Sequence, residues 1–268
     1  DVRVVVAAHL YGVPGRIDAL SAVCSRHGAV LIEDAAESLG ASYKGIQTGA
    51  FGAYSAISFN GNKIITGSSG GMLLTDDAAA ADKVRKWSTQ AREQALWYQH
   101  EELGYNYRMS NVIAGVVRGQ IPYLEEHIAQ KRAVYERYRK GFEGLPVSMN
   151  PYDAQNSVPN FWLSCLLIDK AAMCRQTRDD ANALYLPEHG KSCPTEILET
   201  LARYNAEGRP IWKPMHMQPL YADRDFITAD NDNVGEDIFA RGLCLPSDNK
   251  MTPGQQDRII ELVRACFE

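Results

Sequence analysis

The stretch Val30-Leu31-Ile32-Glu33-Asp34-Ala35-Ala36-Glu37-Ser38 decides the fold of this 268-residue chain. Its first three residues form a short apolar run that predicts a buried strand. Another strand is predicted over residues 3–8, and an amphipathic helix over residues 16–27 connects the two. A β-α-β unit of this kind pairs its two strands in parallel, so the sequence predicts an α/β fold. The apolar face of the helix is predicted to consist of Ile17, Leu20, Val23 and Cys24.

Asp34 is predicted to follow the carboxyl end of the strand that begins at Val30. Ligands of open α/β sheets bind at this edge. A carboxylate in this place can cap the next helix, or it can pair with a cationic ring nitrogen, as the Asp of pyridoxal phosphate enzymes does. The residue itself leaves both roles open.

Lys63 lies in a glycine-rich turn, residues 58–71, between strands predicted over residues 54–59 and 72–75. A lysine held near buried surface can offer a neutral amine that forms a Schiff base with a carbonyl. The alternative is an ordinary solvated lysine. Gly67-Ser68-Ser69-Gly70-Gly71 has neither the G-x-G-x-x-G order nor the Gly-Lys pair of a P-loop, so we do not expect it to bind nucleotide phosphates.

The composition is that of a globular protein, with 45% hydrophobic residues and a net charge of -5. The acidic balance argues against a nucleic-acid or anionic-membrane partner. The six cysteines show no C-x-x-C spacing, which favours free thiols over disulfides or a zinc site. The apolar run over residues 4–10 is too short to span a bilayer. A cytoplasmic protein without a bound metal is therefore expected.

A second domain is predicted after Gly144-Leu145-Pro146, where the composition changes. We expect a large domain over residues 1–143, whose last part is helical from residue 110 to 142 with a break at Pro122. Residues 144–268 are expected to form a small α+β domain. Its predicted elements are a strand over residues 161–168 and helices over residues 194–204 and 253–267.

Six segments together resemble the sugar aminotransferases of the DegT/DnrJ/EryC1/StrS family, and the resemblance runs almost from end to end. These segments are residues 9–12, 33–40, 58–71, 104–110, 209–216 and 243–247. The resemblance implies pyridoxal-phosphate fold type I, the aspartate-aminotransferase-like α/β fold, with a mainly parallel sheet. It also implies a cytoplasmic homodimer with shared active sites that transfers an amino group from glutamate to a nucleotide-linked keto sugar.

The Phe-Asn-Gly-Asn-Lys form of the lysine turn is most similar to the subgroup that aminates UDP-linked 4-keto-6-deoxy sugars. The resemblance makes Lys63 the lysine that bonds to pyridoxal phosphate and then moves the proton. It makes Asp34 the partner of the pyridinium. The other cofactor contacts it implies are Glu37, Ser58 and, from the partner subunit, Asn106. The implied substrate contacts are Arg108, His216, Lys213, Trp212 and His9, the last of which is as well explained as a hydrogen-bonded core histidine.

Relatives in this family carry a further segment in front of the part that this chain resembles. Without it, the sheet of the large domain is expected to lack strands and to leave apolar edges that need cover. The missing segment favours one alternative function, a catalytically inactive relative that acts as a binding or regulatory partner. A second alternative is a sugar dehydratase, a related reaction of the family. Dehydratases of the family carry histidine in place of the lysine, so Lys63 argues against the second alternative.

Overall fold

The computed structural model describes residues 2–179, 181–229 and 232–268. Contacts divide the chain into two compact units. The first contains the residues up to Gln130 together with Tyr152–Trp162, and the second contains Lys131–Pro151 and Leu163–Glu268. This division differs from the predicted boundary between residues 143 and 144, because residues 131–143 belong to the second unit and Tyr152–Trp162 belongs to the first.

The described strands, in chain order, are β1 (Val4–Ala8), β2 (Val30–Asp34), β3 (Ser42–Tyr43), β4 (Ile46–Gln47), β5 (Tyr54–Ser58), β6 (Gly71–Leu74), β7 (Val147–Met149), β8 (Ser157–Val158), β9 (Cys165–Ile168), β10 (Arg175–Arg178), β11 (Ala183–Leu186), β12 (Arg209–Pro210) and β13 (Gly242–Cys244). The described α-helices are α1 (Ile17–His27), α2 (Ala78–Ser88), α3 (Asn111–Gln120), α4 (Leu124–Gly141), α5 (Pro194–Arg203), α6 (Val234–Arg241) and α7 (Pro253–Ala265). None of the helices in the described ranges is long and apolar enough to cross a membrane.

The main sheet of the first unit has the strand order β1-β2-β5-β6. The first three strands are parallel, and β6 runs antiparallel to β5. The predicted β-α-β unit is therefore confirmed as β1-α1-β2. The pairing register places Ala8, Asp34 and Ala56 side by side on three neighbouring strands.

Helix α1 covers one face of this sheet with a narrower stripe than predicted. Ile17 and Cys24 are buried, but Leu20 and Val23 are 38% and 43% exposed. The predicted apolar face is therefore buried only in part, because Leu20 and Val23 lie to the side of the line that joins Ile17 to Cys24 on the helix. Gly28, in the left-handed conformation, ends the helix.

The opposite face of the sheet is open and apolar along its first two strands. Val4, Val6 and Val30 point to this face and are 50%, 63% and 39% exposed. Parallel sheets are ordinarily covered on both faces, so this exposure is unusual.

The helical region before the second unit is interrupted at Pro122, as predicted. Helix α3 ends at Gln120, a single 3-10 turn spans Ile121–Tyr123, and α4 begins at Leu124. Proline lacks the N–H that would continue the α-helical bonding, which explains the short turn.

The second unit contains an antiparallel sheet with the strand order β12-β13-β9-β7, and α5 and α7 pack against each other beside it. The predicted strand over residues 161–168 begins only at Cys165. Its first part is not extended, because Phe161 has a φ of 53° and Trp162 turns into the core of the first unit.

Candidate active site

The turn that carries Lys63 is held in place by the three residues that follow the lysine. Ile64 and Ile65 are buried in an apolar cluster of the first unit. Gln120 of α3 forms two hydrogen bonds with the backbone of Thr66, the residue after Ile65. Its side chain donates to Thr66 O at 2.6 Å and accepts from Thr66 N at 3.2 Å. Apolar packing and hydrogen bonds therefore both hold the turn, and they fix the backbone from which the Lys63 side chain projects.

The amine of Lys63 lies between a carboxylate and an aromatic ring. Lys63 Nζ is 3.5 Å from Glu37 Oε1 and 4.1 Å from the centroid of the Trp162 ring. The side chain is only 11% exposed. A lysine in these surroundings is not the solvated loop residue that the sequence left open.

Glu37 connects the lysine to the single 3-10 turn Leu10–Gly12, which follows β1. The backbone N–H of Tyr11 donates to Glu37 Oε2 at 2.5 Å. Burial raises the pKa of the Glu37 carboxyl, and the nearby charge of Asp34 adds to this, while the Tyr11 N–H and Lys63 oppose it. Glu37 thus places a buried carboxyl directly beside the amine.

Asp34 ends β2 and faces the open side of the sheet. Its carboxylate accepts the Ala36 N–H at 3.1 Å and is exposed. Its neighbours on β1 and β5 are Ala8 and Ala56, whose small side chains leave room beside the carboxylate. The carboxylate is thus available to a cation, such as a protonated ring nitrogen.

Ser58 ends β5 on the same face of the sheet as Asp34. Its Oγ accepts the Asn60 N–H at 3.2 Å, which leaves the hydroxyl hydrogen to donate. An amine for an aldehyde, a carboxylate for a ring cation and a hydroxyl for a phosphate make a donor set that fits pyridoxal phosphate.

His9 is a core residue, the alternative that the sequence had left open beside a substrate contact. It is 1% exposed, with Nε2 2.9 Å from Glu33 Oε2 and Nδ1 accepting the Gly15 N–H at 3.1 Å. Both ring nitrogens are engaged in the core. The contacts of His9 give it a structural role in the core, where it is hydrogen-bonded to Glu33, the residue before Asp34.

Asn106 and Arg108 lie apart from this cluster, on an exposed segment of the first unit. They line a surface cavity of about 590 Å³ together with Gln90 and Arg92, and no residue around Lys63 is among those that line it. Asn106 also forms an isolated bridge with Thr89. Their roles as a partner-subunit contact and a substrate contact stay predictions.

Trp212, Lys213 and His216 belong to the second unit. His216 Nε2 is 2.9 Å from Asn233 Nδ2, and its ring stacks on Phe226 with centroids 3.6 Å apart. Trp212 is 46% exposed. Their predicted substrate contacts also stay predictions.

Trp162 is the site residue that sequence reasoning missed, because the apolar run after Phe161 predicted an ordinary strand. Asn160, two residues earlier, is fully buried and was missed as well. The available signal was an Asn directly before two aromatic residues. Such a run is expected to be buried, and a buried amide has to be matched by hydrogen bonds. The partners of these residues are far away in the sequence, which hides their roles.

Comparison with known proteins identifies the family of this chain. The profile of the DegT/DnrJ/EryC1/StrS aminotransferase family matches residues 2–264, and the chain belongs to this family. EpsN of Bacillus subtilis (strain 168), assigned as a pyridoxal phosphate-dependent aminotransferase, is 41% identical over 266 residues, which cover 99% of this chain and 63% of EpsN. The GDP-perosamine synthase of Caulobacter vibrioides is 30% identical, over 96% of this chain and 64% of that protein.

Solved structures agree on the fold. Helicobacter pylori PseC, an aminotransferase involved in the biosynthesis of pseudoaminic acid, superposes with a TM-score of 0.82 at 19% identity, over 99% of this chain and 67% of PseC. The predicted fold class is thereby confirmed. The chain spans 63–64% of the length of the two curated relatives.

Proposed function

We propose that this protein is a pyridoxal-phosphate-dependent aminotransferase that transfers an amino group from an amino acid to a nucleotide-linked keto sugar. The observation that carries the proposal is the Lys63 amine, buried against Glu37 beside the strand end that presents Asp34. Pyridoxal phosphate, when bound, supplies the electron sink that allows an amino group to be exchanged between an amine and a carbonyl.

Each residue of the cluster has a task in this reaction. Lys63 Nζ holds the cofactor and, once released, moves the proton between the reacting carbons as a general base. Asp34 keeps the ring nitrogen protonated through its negative charge. Glu37 orients the amine and can hold a proton beside it, and Ser58 donates to the phosphate.

The substrate is proposed to be a UDP-linked 4-keto-6-deoxy sugar, with glutamate as the amino donor, in the biosynthesis of a glycan or polysaccharide. The support for this substrate is the Phe-Asn-Gly-Asn-Lys form of the lysine turn. The likeness to a GDP-perosamine synthase supports a nucleotide-linked sugar without favouring UDP. We also propose a cytoplasmic homodimer in which Asn106 reaches the cofactor phosphate of the partner subunit. In this proposal Arg108, His216, Lys213 and Trp212 contact the nucleotide sugar.

The test is the visible absorption of the protein with pyridoxal phosphate, combined with amino transfer from glutamate to nucleotide-linked keto sugars. Wild type should show a band that Lys63→Ala abolishes, and transfer should fall by at least about 1000-fold, because both the nucleophile and the base are lost. Lys83→Ala, which removes a lysine that is 45% exposed, is the matched control and should retain both. A folded wild-type protein that gives no band would contradict the proposal.

A further inference from the structure

The segment Tyr152–Trp162 adds a wall to the Lys63 site from a distant part of the chain. Its anchor is the buried Asn160. The Asn160 N–H donates to Gly12 O at 3.1 Å, and its side-chain amide donates to Glu37 O at 2.8 Å. The same side chain therefore ties this segment to the backbone of the residue that contacts the lysine.

The ring of Trp162 is fixed from several sides. The backbone N–H of Trp162 donates to Asn160 Oδ1 at 2.9 Å, which fixes the backbone from which the ring projects. The indole Nε1–H donates to Asn62 O at 2.7 Å, next to the lysine itself. The ring of Tyr11 stacks on the indole with an interplanar angle of 21°, and Trp162 is only 2% exposed.

We propose that Trp162 is a positioning residue, whose fixed indole face holds the Lys63 amine against Glu37. The contact itself is independent of the proposed function, whereas its effect on catalysis rests on that function. A lysine side chain has several rotatable bonds and loses considerable entropy when it is held in one place. The face of an indole attracts an ammonium group, and this attraction grows when both groups are shielded from water.

The geometry gives this role to the ring face and not to the indole N–H. The amine lies over the ring, 4.1 Å from its centroid, whereas the N–H is directed to Asn62 O. Phenylalanine keeps an aromatic face but has no N–H, and leucine has neither. The two variants therefore separate a positioning role of the face from a structural role of the hydrogen bond.

The first measurement is independent of the cofactor and of activity. In the cofactor-free protein labelled with carbon-13 at the lysine ε-carbons, the ring current of Trp162 should shift the ε-methylene protons of Lys63 upfield of those of exposed lysines. The signal is assigned with Lys63→Arg. Trp162→Phe should keep an upfield shift, and Trp162→Leu should lose it. Trp87→Leu is the matched control, since Trp87 lies 5.3 Å from Lys83 Nζ in an exposed pair, and it should not move the Lys63 signal.

The second measurement is steady-state kinetics. Trp162→Leu should lower kcat roughly tenfold, the size expected for a shielded cation–π contact. The KM for the keto sugar should stay within about twofold, and Trp162→Phe should recover most of kcat. Thermal unfolding of each variant shows whether it is folded.

The outcomes separate the two proposals. A folded Trp162→Phe protein whose Lys63 signal moves to the position of exposed lysines overturns the positioning role, even if Trp162→Leu fails to fold. Equal losses of kcat in both variants overturn it as well, because they would assign the effect to the N–H. Wild type with the upfield signal but without amino transfer would refute the proposed function and leave the holding of Lys63 by Trp162 supported.

Discussion

Glu33 and Asp34 are adjacent carboxylates with opposite surroundings, because neighbouring residues of a strand point to opposite faces of the sheet. Glu33 faces the core and is fully buried. Its oxygens accept from His9 and from the backbone N–H groups of Gly49, Phe51 and Gly52. Asp34 faces the open side and remains available to a ligand. The alternation of a strand thus divides the two residues between structure and chemistry.

Glu33 should control the acid stability of the first unit. Burial by itself raises the pKa of this carboxyl, but the bonds from His9, Gly49, Gly52 and Phe51 outweigh it and lower the pKa from 4.5 to about 2. A lowered pKa contributes stability above pH 4.5, and this stability is lost as the pH falls toward 2. The contribution is roughly 3 to 4 kcal/mol, at about 1.4 kcal/mol per pKa unit.

The measurement is denaturant unfolding between pH 2 and 7. Glu33→Gln should be less stable at pH 7 by a few kcal/mol and should lose little more on acidification. Glu125→Gln, which changes an exposed glutamate on α4, should reproduce the wild-type profile. A Glu33→Gln profile parallel to that of wild type would refute this account.

At the scale of elements, local patterns predict the pieces that are continuous in sequence. The β1-α1-β2 unit follows from hydrophobic periodicity, and the α3–α4 interruption follows from Pro122. The short 3-10 turn Leu10–Gly12 does not follow from periodicity. It is shaped by Asn160, whose Oδ1 would lie 1.8 Å from a Cβ at position 12.

Gly12→Ala should therefore disrupt the junction between this turn and the returning segment. Gly12 has a φ of 83°, so a side chain adds backbone strain to the clash with Asn160. We expect a loss of about 2–4 kcal/mol in the free energy of unfolding, measured by chemical denaturation. Gly15→Ala, where a Cβ would meet no atom within 4 Å, should change stability by less than about 0.5 kcal/mol. Similar losses in both variants would contradict the role of the clash.

At the scale of the whole molecule, the open face of the main sheet is a property that no local pattern predicts. Val4 and Val6 of β1 and Val30 of β2 together form a contiguous apolar surface there. The apolar run of such a strand does not show whether one face of the sheet is covered or both are. The exposure is decided by what packs on the sheet.

This open face should bind a hydrophobic fluorescent dye such as anilinonaphthalene sulfonate. The double variant Val4→Lys/Val6→Lys should bind clearly less dye, because two charges interrupt the apolar surface. Val158→Lys, at an exposed position of β8 away from the main sheet, should bind as wild type does. Dye fluorescence that is the same in all three proteins would contradict the expectation.

The sequence by itself determined the α/β fold and, through the resemblance of six segments, the family, and it predicted a cofactor site with Asp34 and Lys63 at its two ends. These follow from short segments, whose apolar runs, turns and polar residues act locally. The tertiary structure alone decided that Glu37 and Trp162 enclose the amine and that His9 belongs to the core. The physical reason is distance along the chain: Trp162 meets the lysine turn across about 100 residues, and such a contact is set by packing and by the hydrogen bonds of buried Asn160.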